Sequence, residues 1–150
     1  MSAVPADLAA WVELRDVSRA EIARRFGIGP GGTAEGVRYQ GLGPVTRLSN
    51  MERFPGHFFF GGDDRPAMIY IGDRDALAPL NAGELQAALG GPGATLPSRA
   101  GKRVVHHLYP ESGIAFAAEG DDVKLLEIFP PTTREAYEAA VHQDPGPFIR

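Results

Sequence analysis

Two Gly-Asp-Asp triplets are the first residues of this sequence whose types and spacing could support chemistry. They stand at residues 62–64 and 120–122, and each lies between two apolar runs. Paired aspartates of the polymerase or cyclase type also lie on hairpins, but those metal sites need a further carboxylate and a nucleotide-binding surface, and neither is recognisable here. Glycine tolerates positive φ, and aspartate hydrogen-bonds its own backbone in turns. We therefore predict two hairpin turns and no metal site.

The segment GIGPGG, residues 27–32, has the spacing of a dinucleotide-binding loop. That motif needs a strand before it and a helix after it, because the pyrophosphate rests on the N-terminus of the helix. Here a helical pattern precedes the glycines and a loop-like stretch follows them. We interpret the segment as a helix end running into a flexible loop over residues 27–44, which contain seven glycines. No cofactor is predicted.

Histidine and tyrosine supply the remaining candidates for catalysis. His106 and His107 are adjacent in a predicted strand, so their side chains point to opposite faces and cannot bind one metal ion. The sequence has no cysteine, which excludes thiolate catalysis, and no serine has a nucleophile-elbow context. An acid–base group could form from His107, Tyr109 and Tyr70 if their faces met at a pocket. We assign no catalytic residue and no metal ligand, and favour a role other than catalysis.

Capping signals place the helices that must position these residues. Ser18 and Asn81 are N-cap residues, each with a glutamate three positions later and a glycine at the end of the helical pattern. Thr132 begins a third capping box. Apolar spacing near the N-terminus predicts one more helix. The flanking helices are expected at about 6–15 and 132–142.

Short apolar runs separated by turn residues predict six antiparallel strands. The last run is apolar on both faces, as expected of a central strand, so we predict one continuous sheet. The fold class is α+β, with two tandem helix-plus-antiparallel-meander repeats forming this sheet and helices on one face. The predicted strands are 45–49, 57–60, 67–71, 103–109, 113–118 and 123–129.

The helix caps, the Gly-Pro segments and the Gly-Asp-Asp turns recur in the same order, which predicts an internal duplication. Repeat 1 covers about 17–72 and repeat 2 about 80–130. With 150 residues, the chain fits a single domain, 1–150, that contains both repeats.

Composition narrows the classes of function. The formal net charge is −4, so bulk charge gives no indication of nucleic-acid binding. No apolar run reaches the roughly 18 residues of a membrane span. The N-terminus lacks the features of a signal peptide, and together with the absence of cysteine this favours a cytoplasmic protein. The abundance of Arg, Ala, Gly and Pro is typical of a GC-rich bacterial genome.

A capped helix, a Gly-Pro turn and a meander, all in duplicate, resemble the β-lactamase-inhibitor-like architecture and the related small outer-membrane lipoprotein (OmlA/SmpA) module. The resemblance lies in AEIARRFGIGPG, residues 20–31, and GELQAALGGPG, residues 83–93. The chain departs from that family in having its only tryptophan at Trp11 and no lipobox cysteine, so no functional residue is carried over. The resemblance implies a concave sheet that grips another protein.

Aromatic residues and a histidine define the predicted interaction surface. If helices cover one face of the sheet, the other face is expected to carry Phe59, Tyr70, His107 and Tyr109, which are residue types suited to anchoring protein complexes. Packing of these rings under the Gly-rich loop is the alternative. We expect a cytoplasmic protein-binding module, inhibitor- or immunity-like, with another protein as its partner. A small-molecule binder or enzyme with a pocket between sheet and helices, and a structural homodimer, are the alternative functions.

Overall fold

The structure is a computed structural model, and it describes residues 6–91, 93–98 and 102–141. Residue 142, at the end of the last predicted helix, lies outside these ranges. No helix within them is long and apolar enough to span a membrane. The α-helices are α1 (Ala6–Glu13), α2 (Arg19–Phe26), α3 (Arg74–Leu77), α4 (Ala82–Ala88) and α5 (Arg134–Ala140). The strands are β1 (Thr33–Tyr39), β2 (Leu42–Ser49), β3 (Gly56–Phe60), β4 (Met68–Ile71), β5 (Ala94–Pro97), β6 (Val105–Tyr109), β7 (Ile114–Glu119) and β8 (Asp122–Ile128).

All eight strands form one antiparallel sheet in the order β1-β2-β3-β4-β8-β7-β6-β5. β4 and β8 pair at its centre, where Ile69 lies opposite Ile128 and Ile71 lies opposite Leu126. The last strand is thus central, as its apolar residues on both faces predict. The α+β class and the continuous antiparallel sheet are confirmed.

The first face of the sheet is covered by the helices that precede the strands. Phe58 and Phe60 point to this face, where they share an apolar cluster with Leu8, Ile22 and Leu85 from α1, α2 and α4. All five side chains are at most 1% exposed. Burial of this apolar area is the main stabilising contribution that these helices make to the fold.

The second face carries the alternate residues of the same strands. Val45, Phe59, Met68 and Leu108 form an apolar cluster there with Tyr137 of α5. The last helix therefore packs across the sheet from the others, and the prediction that all helices share one face is not confirmed. An apolar face of this size is unfavourable in water, and α5 removes part of it from solvent.

The two N-caps predicted for the helices before each set of strands are confirmed. Ser18 Oγ accepts a hydrogen bond from the backbone N–H of Glu21 at 3.2 Å, and Asn81 Oδ1 accepts one from Glu84 at 3.0 Å. The first of these helices ends at Gly27, whose φ of +61° is in the left-handed region that favours glycine.

The third cap is Thr133 rather than the predicted Thr132. Thr133 Oγ1 accepts a hydrogen bond from the N–H of Ala136 at 3.1 Å. The N–H of Thr132 instead donates to the carbonyl of Pro110 at 2.9 Å. Because this bond holds Thr132 in the loop, α5 begins one residue later than the sequence pattern indicates.

The edge strands β1 and β5 are elements that the sequence pattern does not predict. β1 and the start of β2 occupy residues 33–39 and 42–44, so the predicted flexible loop over residues 27–44 is wrong for most of its length. No residue of β1 is buried, and an edge strand can form without the apolar alternation that identifies an inner one. β5 ends at Pro97, and proline is tolerated at such an edge.

Both Gly-Asp-Asp triplets are turns, as predicted. Gly120 and Asp121 form a two-residue loop between β7 and β8, and the φ of Gly120 is +60°. The other triplet lies between β3 and β4, where Asp63 Oδ1 accepts a hydrogen bond from the N–H of Asp64 at 2.7 Å. Asp63 thus binds the backbone of its own turn, whereas Asp122 forms an exposed ion pair with Lys124 at 2.6 Å.

Candidate functional site

The four predicted binding residues lie on two different faces. Phe59 and Tyr70 belong to the second face. Tyr109 packs in the cluster of the first face, and the ring of His107 lies 4.9 Å from Phe116 of that cluster. The prediction of one shared face is therefore wrong. Alternation within a strand follows from the sequence, but which residues of two strands share a face depends on the pairing of the strands.

Phe59 and Tyr109 are buried, with exposed fractions of 4% and 7%. The ring of Tyr39, at the end of β1, lies 5.3 Å from that of Phe59. Tyr39 belongs to the Gly-rich segment 27–44, so this segment covers Phe59. That arrangement agrees with the alternative prediction, in which the aromatic rings pack under the Gly-rich segment. The hydroxyl of Tyr109 donates to the carbonyl of Gly91 at 2.7 Å. Neither residue is available as an anchor.

The acid–base group proposed for an enzyme does not assemble. Tyr70 lies across the sheet from His107 and Tyr109. A cavity of about 270 Å³ lies at the end of β6, and its lining includes Tyr109 and Leu89 but neither His107 nor Tyr70. The geometry gives these three residues no common pocket.

A buried polar cluster lies at the centre of the second face, and we call it the Glu127 cluster. It consists of Glu127, Tyr39, Gln40, Tyr137 and His106. Glu127 projects from β8 and is 0% exposed. Its Oε1 accepts a hydrogen bond from the Tyr137 hydroxyl and its Oε2 accepts one from the Tyr39 hydroxyl. Gln40 Nε2 also donates to Oε2, at 3.2 Å.

The tautomer of His106 follows from these hydrogen bonds. Its Nε2 lies 2.7 Å from the hydroxyl oxygen of Tyr137 and 3.6 Å from Glu127 Oε1. The single hydroxyl proton of Tyr137 goes to Glu127, so Nε2 of His106 must carry the proton that this hydroxyl oxygen accepts. The cluster is therefore a chain of donors that converges on one carboxylate.

Burial raises the pKa of both tyrosine hydroxyls well above the ordinary value, and the Glu127 carboxylate raises each further. Tyr39 and Tyr137 consequently stay protonated and act as hydrogen-bond donors at all physiological pH values. A fully buried carboxylate with donors on both oxygens is typical of a structural network. We assign this cluster to the stability of the second face.

Glu127 is not among the residues predicted from the sequence, although the sequence carries a signal for it. Glu127 is a charged residue between Leu126 and Ile128 in a run predicted to be a central strand. A charge in that position must be buried and partnered. Its partners could not be identified in advance, because Tyr39 is 88 residues away in the sequence.

Next to the Glu127 cluster, three half-buried residues on β2, β3 and β4 form a surface that we call the Arg47 patch. It consists of Arg47, His57 and Tyr70. His57 lies directly opposite Tyr70, and the rings are nearly parallel, 4° apart with centroids 6.3 Å from each other. Arg47 lies opposite Phe59 and is therefore a diagonal neighbour of His57.

The Arg47 patch contains polar groups without partners. The Nε atom of Arg47 and the Nδ1 atom of His57 are both buried and make no hydrogen bond within the described residues. Burial lowers the pKa of His57, and the positive charge of Arg47 lowers it further. His57 is thus neutral at pH 7, and Arg47 is the cation of the patch.

Among the described residues, no group of three or more His, Cys, Asp or Glu side chains could hold a metal ion. No family model, curated protein or solved structure matches this chain. The functional assignment therefore rests on the geometry of its own residues.

Proposed function

We propose that this protein is a binding module that recognises another protein through the Arg47 patch. The observation that carries the proposal is a stacked ring pair beside a half-buried guanidinium, on three neighbouring strands. The Nε of that guanidinium has no hydrogen-bond partner among the described residues. Arginine and tyrosine are enriched among the residues that dominate protein complexes. Tyr70 is the one residue of this patch that the sequence also predicts as a binding residue. Arg47 and His57 are assigned to binding from the structure.

A rigid base supports this role. The patch stands on inner strands of the sheet, and the ring of Tyr70 packs 5.4 Å from the ring of Tyr39, which is itself held by Glu127. Side chains fixed in this way lose little conformational freedom when a partner binds. We therefore expect the free and bound forms of this surface to be alike.

The duplicated architecture is part of the same proposal. Each half of the chain contributes a capped helix followed by four strands, and the strand order runs outward from the β4–β8 pair in a mirrored sequence. These observations support a repeat origin and, with it, an inhibitor- or immunity-like use of the sheet. Such a protein would block one partner by occupying its surface.

The test is affinity capture of the tagged protein from a lysate of its source cells, followed by mass spectrometry. Three forms are compared: the unmodified protein, Tyr70→Ala, and His107→Ala as a matched control, since His107 is also half-buried but lies on the first face. We expect one stoichiometric partner that Tyr70→Ala loses and His107→Ala retains. Loss with His107→Ala alone, or equal capture by all three, would contradict the proposal. A complex of two copies of the chain would favour the homodimer.

A further inference from the structure

We infer that the Arg47 patch binds a carboxylate side chain, an aspartate or glutamate in a segment of the partner protein. This inference rests on the proposed function and specifies the chemistry of the partner. The evidence for it is that some polar groups of the patch have hydrogen-bond partners and others do not.

Arg47 differs from the other half-buried arginines. Arg15 donates to the carbonyls of Ser112 and Phe129 at 2.6 and 3.1 Å. Arg19 lies 4.0 Å from the carboxylate of Glu35. The side chain of Arg47 makes no hydrogen bond and no ion pair with any residue in the described part of the chain. A half-buried guanidinium of this kind has lost some of its water and has gained no acceptor in return.

The other members of the patch are also hydrogen-bond donors or are able to donate. The Tyr70 hydroxyl makes no hydrogen bond within the described ranges, and the neutral ring of His57 carries one N–H. The residue directly opposite Tyr70 in the pairing of β4 and β8 is Glu127, whose carboxylate lies on this face. Both of its oxygens are already taken by the hydroxyls of Tyr39 and Tyr137. The patch therefore has more donors than acceptors and contains no carboxylate of its own.

The charge of the patch matches a single negative group. Arg47 is its one cation, because His57 is neutral at pH 7. A carboxylate carries one charge and can take two parallel N–H bonds from one guanidinium. A phosphate group carries nearly two charges, and Arg47 alone does not balance it. Charge complementarity thus favours an acidic side chain as the occupant.

The experiment uses the 15N-labelled full chain and two end-blocked peptides, Ser-Glu-Leu-Glu-Tyr-Glu-Ser and the same peptide with Gln in place of each Glu. NMR follows the Nε–H signal of Arg47 and the ring signals of His57 during titration. We expect the Glu peptide to shift both sets of signals in a saturable manner that weakens with added salt. The Gln peptide should leave them unchanged. Arg47→Gln should weaken binding of the Glu peptide roughly tenfold or more. Arg74→Gln, at an exposed position on α3, should not change it.

Equal shifts with both peptides, or none with either at millimolar concentration, would overturn the carboxylate inference. If either result were obtained while capture of a protein still depended on Tyr70, the proposed protein-binding function would stand and only the carboxylate inference would fail. A Glu-specific shift with no protein captured would contradict the protein partner and indicate a small carboxylate instead. Tighter binding of a phosphoserine peptide than of the Glu peptide would overturn the choice of occupant.

Discussion

The hydroxyl of Tyr137 on α5 donates a hydrogen bond to Oε1 of Glu127 on the central strand β8. Through this contact the last helix is attached to the middle of the sheet. On its other oxygen Glu127 binds the hydroxyl of Tyr39, at the end of an edge strand. One buried carboxylate thus holds two distant segments against the second face, and that face supports the Arg47 patch.

Glu127→Gln should lower the free energy of unfolding by about 1–3 kcal/mol. The amide has one acceptor oxygen and replaces the other with a donor, which would face a tyrosine hydroxyl that also donates. Chemical denaturation measures the change. Glu138→Gln on α5 is the control, because its ion pair with Arg134 is solvent-exposed and is expected to contribute at most about 1 kcal/mol. Similar losses in both variants would argue against a central role for Glu127.

Stability should fall at alkaline pH because the pKa of Tyr39 and that of Tyr137 are raised in the folded chain. As pH rises above about 10, the unfolded chain loses these protons first. Each tyrosine then removes about 1.4 kcal/mol of stability per pH unit. Denaturation between pH 9 and 11.5 should show a shallower decline for Tyr137→Phe than for the unmodified protein. An unchanged slope would show that Tyr137 titrates normally.

Gly56→Ala should disrupt the pairing of β3 and β4. A Cβ atom at Gly56 would lie 2.0 Å from the carbonyl oxygen of Tyr70, a backbone atom that cannot move aside without breaking the ladder. We expect a loss of at least about 2 kcal/mol in the free energy of unfolding. Gly61→Ala is the matched control, since a Cβ there meets no atom within 4 Å. Equal stability of the two variants would contradict the register of these strands.

The pKa of His57 should rise towards its ordinary value in Arg47→Gln. Burial is the larger cause of the lowered pKa and the charge of Arg47 is the smaller one, so the recovery should be partial. An NMR pH titration of the His57 ring measures it, with Arg74→Gln as the control. An unchanged pKa in Arg47→Gln would mean that the two side chains are not close neighbours.

The same lowered pKa predicts how stability depends on pH. Below about pH 6.5 the unfolded chain binds a proton at this position before the folded chain does. The contribution of His57 to stability is therefore complete above that pH and is lost as the pH falls through its folded-state pKa. The decline on acidification should be smaller in His57→Phe, which removes the titrating group.

The local features of the fold could be read from the sequence because they depend on nearby residues. The Ser18 and Asn81 caps, the two Gly-Asp-Asp turns and the central position of β8 all follow from spacing within one element. The edge strand β1 could not, because none of its residues is fully buried and they lack the apolar alternation of an inner strand.

The candidate site is harder to predict from the sequence, because its residues come together only when the strands pair. The residue type of Tyr70 suggests an anchor. Its neighbour His57, however, is determined by the register of β3 and β4, and Arg47 by the register of β2 and β3. The sequence pattern predicts His107 and Tyr109 on the same face as Tyr70, because the sequence does not show which residues of two distant strands share a face. That the Nε of Arg47 has no hydrogen-bond partner among the described residues is likewise visible only in the folded chain.

The most direct test of the proposed interface is photo-crosslinking in the source cells. A photoreactive phenylalanine analogue replaces Tyr70 in one variant and His107 in another, so that both faces of the sheet are probed by half-buried positions. We predict a discrete crosslinked product with a second protein from position 70 and none from position 107. A product from position 107 only, or none from either, would contradict binding through the Arg47 patch.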